Sequence, residues 1–260
     1  MGKVKIMIGK SLSAVFILLS LAACQTVQQT GRTQFIIVSD ADELQLGQQA
    51  YKETLQKNRL STRSDWQSQL RRVGQRIAAA AEQAEFKWEF NVIQGKEVNA
   101  FALPGGKVAF WEGIMPVARD DNGIAVIMGH EVAHALARHG AERMSQSMGA
   151  EILGQIISFG VGQVSPGIHD EVLQAYGLGA TVGVLLPWGR TQESEADRIG
   201  LTLMAKAGYD PAAAIAFWER MAKIAGDKPP EFLSTHPSDA TRIDQIKEWL
   251  PEARAFYRGK

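Results

Sequence analysis

Six consecutive residues, Gly129-His130-Glu131-Val132-Ala133-His134, constrain this chain more than any other stretch. On a helix, His130 and His134 lie one turn apart on one face, so both imidazoles can meet a single metal ion, with Glu131 beside them to handle a proton. Ile124, Val126, Ile127, Met128, Val132, Ala133, Leu136 and Ala137 surround them and make the helix apolar nearly all round, which places it inside the protein. Two histidines on a buried helix need partners. The alternative to a metal is a pair of hydrogen-bonded core histidines beside an incidental glutamate.

A catalytic zinc takes three protein ligands and leaves a position for water. One arrangement draws the third ligand from a histidine at position 140, after a glycine at position 137, and this chain has Gly140 and Ala137 there. His139 reads as pointing away from the pair, a cation at a helix end beside Gly140. The other arrangement draws a glutamate from a second helix. Gln192-Glu193-Ser194-Glu195-Ala196-Asp197 opens an apolar segment running to Leu203. Glu193 and Asp197 share a helical face, which suits a metal-binding carboxylate and a second carboxylate that holds a ligand histidine by its other ring nitrogen. Glu195 then points elsewhere. The plainer account of this hexapeptide is that acidic residues favour the first turn of a helix.

With these two motifs in this order the chain resembles the gluzincin metallopeptidases of the Ste-type CaaX protease, HtpX and Oma type. The resemblance extends to Asn99-Ala100-Phe101-Ala102-Leu103-Pro104-Gly105-Gly106, to Pro187-Trp188-Gly189-Arg190 and to Ser234-Thr235-His236-Pro237, and covers roughly residues 40 to 250. It implies an α+β, mainly helical zincin-type domain with a small sheet beside the H-E-x-x-H helix. It also implies one Zn2+ per chain on His130, His134 and Glu193, with Glu131 as the base. His236 and Arg242 are given places at the active site, both able to donate to the oxyanion of the scissile carbonyl. Their ordinary roles would be a turn histidine and a solvated helix arginine. A further expectation is that His236 takes the fourth position on zinc in a resting state.

The 260 residues carry 28 basic and 28 acidic side chains and are 45% hydrophobic, enough for one substantial core and without the basic excess of a nucleic-acid-binding surface. Residues 1–23 read as a lipoprotein signal peptide: Lys3, Lys5 and Lys10 precede an apolar run from Ser11 to Leu21 that is too short to span a bilayer. Leu21-Ala22-Ala23-Cys24 resembles the bacterial lipobox, and Cys24 is the only cysteine in the chain. Ordinary secretion with cleavage is the alternative. Gln25 after the cysteine suggests, by family analogy, the outer membrane of a Gram-negative cell facing the periplasm. Residues 24–39, rich in Gln and Thr, read as a lipid-anchored tether, and residues 40–260 as the metallopeptidase domain.

Asp40 or Asp42 caps a first helix, and a second runs from about Ser64 to Ala84 with Trp66, Leu70, Val73, Ile77 and Ala81 inward. Glu85 to Val92 alternates as a half-buried strand, and Asn99 to Leu103 and Lys107 to Trp111 are two strands joined by Pro104-Gly105-Gly106. Either this hairpin only closes a sheet, or one strand is an edge on which Asn99 and Ala100 pair with an extended substrate backbone. Asp120 or Asp121 starts the metal helix. The Gly-rich stretch from Ala141 to Trp188 forms either packed helices or a lid. Pro211 begins a helix capped by Asp210, and Ser238 can cap the last one. His169 reads as a surface residue.

The function that follows is a membrane-anchored zinc endopeptidase acting on unfolded or misassembled envelope polypeptides, with the outer-membrane assembly machinery as a possible partner and no role for nucleic acid. It would be a short, protease-only member of the family. The alternative is a chaperone-like assembly factor with a closed or latent zinc site, and a weaker third reading is hydrolysis of peptidoglycan peptides.

Overall fold

The computed structural model describes residues 24–157, 189–225, 230–236 and 241–259. The expected signal peptide, Pro187-Trp188, His169, Ser238 and the part of the expected lid from 158 to 188 lie outside the described residues.

The described chain opens with a short antiparallel pair, β1 (Cys24–Thr26) and β2 (Thr33–Phe35), with Cys24 opposite Phe35. The pair lies within residues 24–39, the segment read as a tether. Val27 and Ile36 are buried in the core, and Arg32 forms ion pairs with Glu142 and Glu195, so two apolar anchors and one charged one hold a locally featureless sequence in place. Tertiary burial supplies what local propensity does not.

Helix α1 (Asp40–Lys57) is capped by Ser39, whose hydroxyl accepts from the Asp42 amide at 3.2 Å. Neither Asp40 nor Asp42 is the cap; both sit in the first turn, where the helix dipole favours their charge. Helix α2 (Ser64–Ala81) buries Leu70, Val73, Ile77 and Ala81 as its periodicity predicts, while Trp66 at its first turn is only partly buried; the helix stops short of Ala84, at Glu82, which is left-handed with φ 55°.

Three strands follow: β3 (Glu89–Ile93), β4 (Ala100–Leu103) and β5 (Lys107–Trp111). Gly105 and Gly106, with φ of 82° and 81°, make the turn between β4 and β5 that a side chain would strain. The order in the sheet is β3-β5-β4, with β5 central, antiparallel to β4 and parallel to β3. Alternate residues face opposite layers. Phe90, Val92, Ala100, Ala102, Val108 and Phe110 join the main core, whereas Ile93, Phe101, Leu103 and Ala109 join a second core with Ala50 and Tyr51 of α1. Both faces are therefore covered, so β4 is buried along its whole length while its outer edge stays unpaired by any strand of the sheet.

A 3-10 turn (Glu112–Ile114) and α3 (Met115–Ala118) lead to α4 (Asp121–Leu136), capped by Asp120, which accepts from the Gly123 amide at 2.9 Å. Arg138, left-handed with φ 57°, breaks the chain before α5 (His139–Ile157). Helices α6 (Arg190–Lys206), α7 (Ala213–Ala225), α8 (Glu231–Thr235) and α9 (Arg242–Arg254) complete the layer on the far side of α4. The fold is thus α+β, with the metal helix buried between the sheet and the C-terminal helices. Among the described residues no helix is long and apolar enough to cross a membrane.

Candidate metal centre

Helix α4 is buried on every side from Gly123 to Ala135, so its polar residues must find partners inside the protein. His130 and His134 point their Nε2 atoms at each other, 3.2 Å apart. Helix α6 brings Glu193 to both: Oε2 lies 3.5 Å from His130 Nε2 and Oε1 lies 3.3 Å from His134 Nε2. His236, at the end of α8, adds Nδ1 at 3.1 Å from His130 Nε2 and 2.9 Å from Glu193 Oε1. One donor atom from each of the four residues lies within 4.8 Å of the others, and all four residues are buried.

The chemistry of this donor set fits one zinc ion: imidazole nitrogens and a carboxylate oxygen converging on one point, in the ligand types and number zinc takes. A second observation agrees. Among the described residues Glu131 Oε1 is buried with no hydrogen-bond partner, beside the converging donors, and His236 Nε2 lies 3.4 Å from it. A buried carboxylate oxygen held this way has capacity left for a water or a substrate proton.

Electrostatics sort the roles. Burial lowers the affinity of His134 for a proton well below the ordinary histidine value, which keeps it the neutral imidazole a metal needs. Burial would raise Glu193, but the adjacent His236 and His130 outweigh it and hold the carboxyl well below the usual range. Glu131 behaves oppositely: burial raises it, and the pull of His236 and His130 does not cancel that. Burial would lower His236, yet the charges of Glu131 and Glu193 raise it.

Asp197 lies one turn after Glu193 and accepts from His130 Nδ1 at 2.9 Å. With the proton on Nδ1, the Nε2 lone pair of His130 faces the centre. Arg242 lies against the same carboxylates. Its Nε lies 2.7 Å from Asp197 Oδ2, its other nitrogens reach Asp197 Oδ1 at 2.8 Å and Glu193 Oε2 at 3.1 Å, and the guanidinium stacks 3.3 Å over the Trp218 ring. The guanidinium thus meets both carboxylates of the α6 face.

Ala100 begins β4, whose outer edge no strand of the sheet pairs, and Asn99 precedes it with its carbonyl accepting from the Trp111 amide of β5 at 3.0 Å. The Ala100 amide there is met by Asn99's own Oδ1 at 2.9 Å, and the Phe232 amide of α8 donates to Val98 O at 3.1 Å.

His139 and Glu195 were missed by sequence reasoning. His139 is not a solvated cation at a helix end; it is the first residue of α5 and 0% exposed. The left-handed turn at Arg138 swings it back, so its Nδ1 meets His134 Nδ1 at 2.9 Å and its Nε2 meets Glu195 Oε2 at 2.9 Å. Glu195, read as pointing elsewhere, is 6% exposed. Spacing alone carries no signal for this pair, because a helical wheel does not continue through a left-handed residue.

The comparisons agree with this geometry. Peptidase family M48 matches residues 64–250, which takes in every residue of the centre. The chain is 39% identical over 233 residues to the mitochondrial metalloendopeptidase OMA1 of Schizosaccharomyces pombe, covering 86% of this chain and 66% of that protein. It is 34% identical over 246 residues to OMA1 of Saccharomyces cerevisiae, covering 87% and 69%. Against the β-barrel assembly-enhancing protease of Escherichia coli it is 28% identical over 187 residues, covering 70% of this chain and 38% of the relative. The chain thus spans between about two fifths and two thirds of the length of these relatives. By the extent of the match and the converging H-E-x-x-H and glutamate helices, the chain belongs to peptidase family M48.

Proposed function

We propose that the chain is a zinc-dependent endopeptidase, held to a membrane of the bacterial envelope through lipid on Cys24, that cleaves unfolded or misassembled envelope proteins. The observation that carries the reaction is the convergence of His130, His134 and Glu193 with Glu131 buried beside them. Zinc held by those three ligands supplies Lewis acidity at the scissile carbonyl and lowers the pKa of the attacking water.

The remaining steps belong to the chain. Glu131 takes the proton of the water and passes it to the leaving amine; burial, which raises its proton affinity, suits it to both transfers. Asp197 and Arg242 fix His130 and Glu193 so that the donors are oriented before substrate arrives. The unpaired edge of β4 offers Ala100 to an extended substrate backbone once Asn99 releases its amide, which reads backbone and places little demand on side chains. His236, drawn off Glu193, donates to the oxyanion.

Attachment is supported by Leu21-Ala22-Ala23-Cys24 and by the exposure of Cys24 at the start of β1. An outer-membrane location facing the periplasm rests on Gln25 and on the Escherichia coli relative, whose name describes β-barrel assembly; that machinery is the partner this reading selects.

The position of His236 inside the donor set favours a second state, in which it takes the fourth position and the enzyme rests closed. In the extreme form of that reading the protein is an assembly factor with a latent site. One experiment separates them. Cleavage of unfolded casein is followed for the zinc-loaded wild type, after chelation, and for His236→Ala. Activity lost on chelation and restored by zinc supports the peptidase; a loss in His236→Ala supports its oxyanion role, and a gain supports the closed state and removes that role. Zinc-loaded wild type and His236→Ala that both leave casein intact would overturn the peptidase reading.

A further inference from the structure

His134 is the one histidine of the H-E-x-x-H pair that Asp197 does not reach, and what faces its outer nitrogen is His139. The two rings sit edge to face, 4.9 Å between centroids, with Nδ1 against Nδ1 at 2.9 Å. Two ring nitrogens at that distance need one proton between them, and the rest of the network says where it is. His139 Nε2 lies 2.9 Å from Glu195 Oε2, and a carboxylate only accepts, so Nε2 carries the proton. Neutral His139 then has a lone pair on Nδ1. His134 must donate its Nδ1–H to it, which leaves the Nε2 lone pair of His134 directed at His130 and Glu193.

Glu195 is itself held by the N-terminal hairpin. Arg32 Nε donates to Oε2 at 2.7 Å, and the Thr30 hydroxyl bonds Oε1. Arg32 also grips Glu142 of α5 through two nitrogens at 2.8 and 2.9 Å, and Glu142 accepts from Gln192 of α6 at 2.7 Å. The hairpin therefore ties together the two helices that carry His139 and Glu195.

We propose that His139 and Glu195 are positioning residues for the metal: a glutamate–histidine relay, braced by Thr30 and Arg32 of the residue 24–35 hairpin, that fixes the tautomer and orientation of His134. The centre then has two supports of like chemistry, Asp197 acting on His130 directly and Glu195 acting on His134 through one intervening imidazole. It also makes the segment directly after Cys24 part of the metal site, so that the strand nearest the anchor and the ligand histidine are mechanically one unit. The inference rests on His134 being a ligand.

The test measures zinc affinity of the full chain by competition with a chromophoric chelator, with circular dichroism to confirm folding. His139→Phe keeps the buried ring and removes the acceptor; zinc should bind roughly 10- to 100-fold more weakly, the range usual when a ligand histidine loses its outer partner. His139→Asn puts an amide oxygen where Nδ1 was and should recover most of that loss. Glu195→Leu removes the far end of the relay and should weaken zinc in the same direction, which carries the test if His139→Phe does not fold. Wild-type affinity in His139→Phe or in Glu195→Leu overturns the proposal, and so does an equal loss in His139→Phe and His139→Asn, which would mark a packing role. A wild type that binds no zinc would instead overturn the reading of the metal centre.

Discussion

Gly129 and Gly200 face each other where α4 crosses α6: a Cβ on Gly129 would lie 2.8 Å from Gly200 O, and one on Gly200 would lie 2.9 Å from Gly129 C. The two backbones touch at this point, one residue before His130 and three after Asp197. This contact sets the spacing that lets the histidines of one helix and the carboxylates of the other share a centre. Gly200→Ala or Gly129→Ala should force the helices apart, costing about 1 to 3 kcal/mol of stability and weakening zinc binding. Urea unfolding together with a zinc titration checks this; both quantities unchanged in Gly200→Ala would show that the crossing has slack.

Asp197 serves two buried groups, His130 and Arg242. Asp197→Ala leaves a buried guanidinium with Glu193 as its remaining carboxylate and leaves His130 Nδ1–H without its acceptor. We expect a stability loss of about 3 kcal/mol and zinc affinity about 10- to 100-fold weaker. Asp197→Asn retains an oxygen for His130, so its zinc affinity should fall less than that of Asp197→Ala while a stability deficit persists. Equal zinc affinities in the two variants would contradict the orienting role.

Tyr51 joins α1 to the sheet: its hydroxyl accepts from Asn91 Nδ2 at 2.8 Å and donates to Val108 O at 3.3 Å. Burial pushes its pKa up to about 12. A raised folded-state value means that the contribution is fully present below the unfolded pKa near 10 and is lost as pH rises through about 12. Stability should therefore fall by about 2 to 3 kcal/mol across that alkaline window from this group. Tyr51→Phe should lose this part of the fall, so denaturant melts of the two proteins at pH 9 and pH 11.5 should differ in slope with pH. Parallel behaviour would show that Tyr51 ionises as freely in the folded state as in the unfolded one.

The parts of the site that the sequence revealed are those written in the period of one helix. His130, Glu131 and His134 are legible because an apolar helix with two histidines one turn apart has few uses, and Glu193 with Asp197 repeats that spacing on α6. The sheet was half legible: β4 and β5 could be read as a hairpin around Gly105 and Gly106, but the parallel pairing of β3 with β5 spans the hairpin and leaves no local mark. The hairpin at residues 24–35 was hidden for another reason. Its stability comes from Val27 in the core and from Arg32 on Glu142 and Glu195, partners more than a hundred residues away. His139 escaped because one left-handed residue, Arg138, reverses the direction it faces. The carboxylates that Arg242 meets left no mark in the sequence, since they depend on how α9 lies against α6.

The central claim is that a metal-dependent hydrolysis is driven by a proton transfer through Glu131. Its most direct test is Glu131→Gln in the full chain, which keeps the size of the buried side chain and removes the base. Zinc affinity should match the wild type, because Glu131 is not among the ligands, while cleavage of unfolded casein should fall by about a hundredfold or more. A Glu131→Gln protein that binds zinc normally and cleaves casein at the wild-type rate would contradict the account.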